Sequence, residues 1–476
     1  MIKPARRGVW PGRGSLLALV TLAVACVSPA PAPVPPAAPE VWLIRGVRVF
    51  DGETMLPKAT VLVRAGHIAD ISAELAAPRE AVEIDGAGMT LLPGLLDAHA
   101  HVRGPALRDE LAFGVTTVLD MMSDVKWAAS IRQEQRAGGG LDRADLYSAG
   151  MLVTAPGGHG TEFEAIPTLS SAAEAQAFVD ARIAEGSDYI KIVYDDGRAF
   201  GQRIPTLSLA TLKAVIDAAH LRHLLAVVHI GSVEGARDAL EAGANGLAHL
   251  SPEREVDDEL VALATRRGAF IVPTLSLNES LCGVASGASL VADPRLAPYL
   301  SYDEARNLTK TLFRGSRPGL QLSNVLTSVA SLHRAGVPIL AGTDAPNKGT
   351  WHGVSIHREL ELLVRAGLTP IEALRAATSA PARAFGLEDR GRIAIGKRAD
   401  LLLVRGDPAS DILTTRDIVT IWKLGRPFDR AHYRAHLASG ISRRWLVAVG
   451  AVAAATILLV AWLLRRTTAD RSVRSV

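Results

Sequence analysis

LLPGLLDAHAHV, residues 91–102, runs apolar around Asp97 and then places His99 and His101 two positions apart. Side chains on a strand alternate between its faces, so both imidazoles point the same way and can grip one metal ion. A polar strand end facing water gives the same pattern, so the rest of the chain must discriminate between the two.

Outward from this stretch, residues 94–388 alternate apolar strands with helical patterns, the signature of parallel βα units. Eight candidate strands stand out: GLLDAHAHV, GVTTVLDMM, ADLYSAGMLV, YIKIVYD, LLAVVHI, NGLAHL, AFIVPTLS and PILAGTDA. Helix-like segments such as SAAEAQAFVDARIAEG and LATLKAVIDAAHLR separate them. Eight such units match a closed (β/α)8 TIM barrel. An open doubly wound sheet is the alternative, but no glycine-rich dinucleotide fingerprint follows the first strand. On either side, residues 41–93 and 389–430 alternate apolar with polar and break at Gly, Asp and Pro. They predict one small β-sandwich assembled from both flanks of the barrel.

Composition narrows the class. Hydrophobic residues make up 48% and charged residues 21% of the 476 positions, which excludes disorder for the bulk of the chain. The net charge of +3 is mild and the basic residues are dispersed, which argues against nucleic-acid binding. Cys26 and Cys282 cannot form a disulfide framework, and Cys282 reads as a plain small residue.

Both ends read as targeting elements. Lys3, Arg6, Arg7 and Arg13 precede the apolar SLLALVTLAVAC, the arrangement of a signal peptide over residues 1–26. LAVAC resembles a bacterial lipobox, which makes Cys26 the expected lipidation site; an ordinary secretory signal is the alternative. A Pro/Ala tether follows over residues 27–40. Residues 445–464, WLVAVGAVAAATILLVAWLL, are uncharged and flanked by arginine pairs, and so predict a transmembrane helix ahead of a polar tail at 465–476. The expectation is a bacterial envelope protein, held to the membrane by that helix and an N-terminal lipid, with an exported catalytic domain. A cytoplasmic, tail-anchored enzyme is the alternative.

Active sites of (β/α)8 barrels lie at the C-terminal ends of the strands. His99 and His101 end the first expected strand, Lys191 lies in the fourth, His229 ends the fifth, His249 the sixth and Asp344 the eighth. Singly, each has a bland reading: a core histidine satisfied by a carbonyl, an aspartate capping a turn, a lysine that snorkels. Five strand ends together make chance a poor account. A buried lysine has its pKa lowered, and its neutral amine can take up carbon dioxide to give a carbamate, an anionic bidentate ligand. Four histidines, an aspartate and a carbamate make a site for two divalent ions, and imidazole donors suit zinc.

Several motifs now carry a resemblance: LLPGLLDAHAH, GSDYIKIVYD, AVVHIGSVEGARDALEAGANGLAHL, ILAGTDAPN and AGLTPIEALRAATSAPARAFGLEDRGRIAIGKRADLLLV. Over residues 41–430 the chain resembles the amidohydrolase superfamily, in its imidazolonepropionase-like and prolidase-like branch. The resemblance implies that His99, His101 and Asp344 bind one ion, that His229 and His249 bind a second, and that carbamylated Lys191 bridges them. It further implies that Asp344 moves a proton from the nucleophile to the leaving nitrogen. Substrate candidates are His159 in APGGHGTEF, Tyr194 beyond Lys191, and His352 in WHGVSIHREL; His357 is expected to pack on the following helix. The expected reaction is hydrolysis of a C–N bond in a small molecule or dipeptide by a metal-bridging hydroxide, and homo-oligomers are common among such barrels. Two rivals remain: a mononuclear deaminase or cyclic-amide hydrolase without the carbamate, and an inactive metal-binding envelope scaffold.

Overall fold

Leu401 and Leu403 are buried in one apolar cluster while Leu402 and Val404, between and after them, are buried in another, the period-two pattern of a strand covered on both faces. That strand, Leu401–Arg405, is central to an eight-stranded sheet in the computed structural model, which describes residues 40–198, 201–313, 315, 317, 319–437 and 458. The order runs Arg426–Pro427, Ile418–Lys423, Leu401–Arg405, Met89–Pro93, Val41–Phe50, Met55–Arg64 and His67–Ser72, with Val82–Asp85 also paired to Val41–Phe50. Strands from both flanks therefore share one sheet. It curls until its ends meet, with His67 bridging Arg398 and the Ala399 N–H donating to the Gly66 carbonyl. The curl encloses Trp42, Val61, Ile68, Leu403 and Trp422, and the two tryptophan rings meet edge to face at 5.8 Å.

The barrel begins with Leu95–Ala100, every residue of which is buried. It pairs in parallel with Val115–Asp120, which pairs with Asp145–Ser148. A second group, Ile190–Tyr194, Ala226–Ile230, Gly246–Ala248 and Phe270–Val272, is also parallel throughout. Three bridges join the pieces into a ring: Val153 to Ile192, Ile271 to Ile339, and Ala345 to Ala100. The eighth segment, residues 338–345, closes the barrel without a regular ladder. Pro338 has no N–H to give, the Thr343 N–H goes to both the Asp97 carboxylate and the His99 carbonyl, and Asp344 has a left-handed backbone. The seventh strand is shorter than AFIVPTLS suggests, because the chain turns at Thr274 into the buried helix Leu275–Leu281.

A buried ionic cluster joins the sheet to the base of the barrel. Asp145, which opens the third barrel strand, accepts from Arg390 at 2.7 Å and Arg398 at 2.8 Å and pairs with Lys423 at 2.8 Å. Asp400 accepts from Arg398 at 3.0 Å and lies 3.2 Å from Lys423.

The expected transmembrane helix needs correction. Among the described residues no helix is long and apolar enough to cross a membrane, and residues 445–464, apart from Leu458, lie outside them. The expected signal peptide, Cys26 and the Pro/Ala tether fall on residues 1–40, of which only Glu40 is described, and so have no structural support.

Candidate metal centre

Strand parity turns His99 and His101 inward from the first barrel strand, and the eighth segment brings Asp344 against them. Asp344 Oδ1 lies 3.1 Å from His101 Nε2 and 3.5 Å from His99 Nε2, and Asp344 Oδ2 lies 3.9 Å from His249 Nε2. One ligand-capable atom from each of His99, His101 and Asp344 falls within 4.8 Å of the others. The remaining imidazoles continue the row. Ring centroids are 4.7 Å apart for His99 and His249, 4.5 Å for His249 and His229, and 5.0 Å for His229 and His159. Lys191 sits in the fourth strand opposite Val227, two residues before His229 in the paired strand. Its long side chain is 2% exposed.

Close backbone approach makes this convergence feasible. A Cβ at Gly342 would lie 2.8 Å from the His99 Cβ and 2.9 Å from the His99 nitrogen, so only glycine lets the eighth segment pass so near the first strand. Asp97 then ties the two together, accepting from the His99 N–H at 3.0 Å, the Thr343 N–H at 3.1 Å and the Thr343 hydroxyl at 2.6 Å. Strain collects here. His249, Thr274 and Asp344 all have positive φ, at 73°, 49° and 53°, and each such residue costs on the order of 1–3 kcal/mol.

Burial dominates the electrostatics. It holds His99 and His249 well below the ordinary histidine range and brings His229 down to about 4, so these rings are neutral, the form that binds metal. Burial also brings Lys191 down to about 7, against the pull of Asp344 and Asp120. Both ring nitrogens of His99, the Lys191 Nζ and the Asp344 Oδ1 are buried without a hydrogen-bond partner. Orphaned polar atoms of this kind carry a desolvation cost of about 1–3 kcal/mol each unless something else meets them. A divalent ion can meet one ring nitrogen of His99 together with the Asp344 oxygen, and these donors fit zinc or a similar ion.

The substrate candidates separate. His159 reaches the row of imidazoles; its Nδ1 contacts Glu162 Oε1 at 2.5 Å, and the ring is part exposed. His352 is buried, with Nδ1 3.1 Å from Glu110 Oε1, and burial holds it down to about 3. Tyr194 does not point into the barrel: its hydroxyl donates to Asp238 Oδ2 at 2.8 Å, on the helix Val233–Ala242. The oxyanion role expected of it has no support in this geometry. His357 packs as expected, its ring nitrogens 3.1 Å from the Thr415 hydroxyl and from the Phe113 carbonyl.

Sequence reasoning missed several supporting residues. Asp195 lies 3.4 Å from His229 Nε2, and a Cβ at Gly231 would come 2.2 Å from the Asp195 Oδ1. Thr274 Oγ1 lies 2.8 Å from His249 Nδ1. Asp120, fully buried at the end of the second strand, accepts from Ser123 at 2.7 Å and Ser148 at 2.5 Å and contributes to the field at Lys191. Inward parity was the available signal for Asp97 and Asp195, and Asp120 ends the second apolar run; Thr274 depends on a partner distant in sequence.

The sequence model of the amidohydrolase family matches residues 90–427. An uncharacterized protein of Mycobacterium tuberculosis is 30% identical over 364 residues, covering 72% of this chain and 86% of its own length. The imidazolonepropionase of Deinococcus radiodurans is 28% identical over 385 residues, covering 76% and 89%. Among solved structures, a Xaa-Pro dipeptidase with methionine bound in its active site superposes with a TM-score of 0.66 at 23% identity, covering 82% of this chain and 99% of that one, a likeness of fold.

Proposed function

The chain belongs to the amidohydrolase family, hydrolases acting on carbon–nitrogen bonds, and from that premise we propose that it cleaves an amide bond in a small molecule or dipeptide with two divalent ions. Buried polar atoms without hydrogen-bond partners on His99, Lys191 and Asp344, beside the grouping of His99, His101 and Asp344 at metal-ligand spacing, carry this reading. His99, His101 and Asp344 would hold one ion, His229 and His249 the other, with zinc favoured by the donors. The neutral amine of Lys191 would take up carbon dioxide, forming an N–C bond with loss of one proton, and the carbamate would add an anionic oxygen donor to the site. Ions so held acidify a water and polarise a carbonyl.

The chain's own groups then do the rest. Asp344 accepts the proton of the attacking water at its carboxylate and delivers it to the departing nitrogen, so the amine leaves neutral while the acyl carbon gains the oxygen. Asp97 keeps Asp344 and His99 in register through Thr343 and the His99 N–H. Asp195 orients His229, and the half-exposed His159 beside it is the substrate contact this geometry favours. His352, buried and held by Glu110, is left as a supporting residue. The names of two relatives, an imidazolonepropionase and a Xaa-Pro dipeptidase, support this bond class.

One observation favours a second reading. Among the described residues only His99, His101 and Asp344 form a group at metal-ligand spacing, which also suits a single-ion deaminase or cyclic-amide hydrolase. Turnover by Asp344→Asn, read beside its bound metal per chain, tests whether the carboxylate does chemistry beyond holding an ion under either reading. A panel of dipeptides and N-acyl amino acids should show a loss of roughly 10²-fold or more, the usual contribution of a positioned acid/base group. Thermal unfolding should stay near wild type, and undiminished turnover would contradict the assignment.

A further inference from the structure

We propose that Thr274 is a positioning residue for His249, and that Glu359 frees its hydroxyl for that task. The inference rests on the reading of His249 as a metal ligand. Thr274 follows the seventh barrel strand with φ 49° and ψ 54°, a conformation native to glycine and asparagine and unfavourable for a β-branched side chain. What threonine brings to this position is a hydroxyl, and that hydroxyl lies 2.8 Å from His249 Nδ1 in a fully buried setting.

Thr274 is also the N-cap of the helix Leu275–Leu281, where a threonine ordinarily turns its hydroxyl back onto the first free N–H groups. Here it makes no such bond. Glu359 takes that role: its carboxylate accepts from the Leu275 N–H at 2.8 Å, the Ser276 N–H at 2.7 Å and the Ser276 hydroxyl at 2.8 Å. Glu359 is itself 0% exposed. The adjacent Arg358 pairs with Glu279 toward the other end of the same short helix, at 2.6 Å and 2.9 Å. Asn278 donates to the Pro273 carbonyl at 2.9 Å, which fixes the turn from within. Two neighbouring residues of the helix Ile356–Arg365 thus clamp the helix that follows the seventh strand, and the clamp leaves the Thr274 hydroxyl facing His249. The backbone agrees, since the His249 N–H donates to the Val272 carbonyl at 2.8 Å. An imidazole that ligates through Nε2 keeps its proton on Nδ1 and donates it to such an acceptor, which sets both the tautomer and the ring plane.

Zinc competition against a chromophoric chelator tests this on the full chain purified with bicarbonate. Thr274→Val keeps the shape and removes the acceptor; it should weaken the ion held by His249 by about 10- to 100-fold. Thr274→Ser restores the hydroxyl and should return affinity to within a few-fold of wild type, while metal-free unfolding temperatures stay alike. Thr274→Ala, smaller and without the hydroxyl, should behave as the valine variant does and serves if that variant does not fold. Unchanged zinc affinity in the valine variant, or a serine variant as weak as valine, would overturn the proposal. His249→Ala separates the two levels of inference. If it holds zinc as wild type does, the ligand reading fails and the positioning role with it; if it loses an ion that Thr274→Val keeps, only the positioning role fails.

Discussion

Gly342 shows how tightly single residues set the site. An added methyl would meet Val272 Cγ1 at 2.5 Å and the His99 backbone nitrogen at 2.9 Å, and a backbone atom cannot move aside as a side-chain tip can. Gly342→Ala should therefore cost about 1–3 kcal/mol in urea unfolding and reduce bound metal through displaced His99; unchanged stability and metal content would show that the strands have room. His99, His101, Lys191, His229, His249 and Asp344 stand out in the sequence because each interrupts or ends an apolar run, and strand parity assigns them a common interior. Parity also reveals the Tyr194 error. Lys191 and Tyr194 are three apart, so they occupy opposite faces, and Tyr194 points to Asp238 among the outer helices. Thr274 and Glu359 had no such signal, because their partners lie 25 and about 84 positions away in sequence.

At the level of elements, the eight apolar runs land on the eight barrel positions in chain order, since buried parallel strands read as continuous hydrophobic stretches. The helical segments fare as well: LATLKAVIDAAHLR contains the helix Leu209–Leu221, and SAAEAQAFVDARIAEG contains Ala175–Ala184 after a short 3-10 turn. Sequence failed where local geometry follows the site. The eighth segment gives its Thr343 and Asp344 N–H groups to Asp97 and His99, and the seventh strand stops at Val272, before the turn at Thr274. The uncharged run at 445–464 suggested a spanning helix, and no helix among the described residues meets that requirement.

Across the whole molecule, the buried cluster of Asp145 and Asp400 with Arg390, Arg398 and Lys423 couples the curled sheet to the barrel base. Burial disfavours the Asp400 carboxylate, but Lys423, Arg398 and Arg390 outweigh it and lower the group from its ordinary 3.8 to about 2. A depressed folded-state value stabilises above the unfolded carboxylate range and is lost as pH falls through about 2, here on the order of 2 kcal/mol. Asp400→Asn should lower stability at pH 7 by about 3 kcal/mol, since it strands buried cations, and should flatten the decline between pH 4 and pH 2. Urea unfolding at both pH values checks this, and parallel pH profiles for variant and wild type would contradict it. The barrel so supported gathers its ligands from strands far apart in sequence, and the central claim is that they hold two ions joined through Lys191. The most direct measurement is metal per full-length chain, purified with bicarbonate, for wild type and Lys191→Ala. Two ions in wild type and fewer in the variant is the result expected here; a single ion indifferent to Lys191 would contradict the carbamate-bridged centre and leave the single-ion reading in its place.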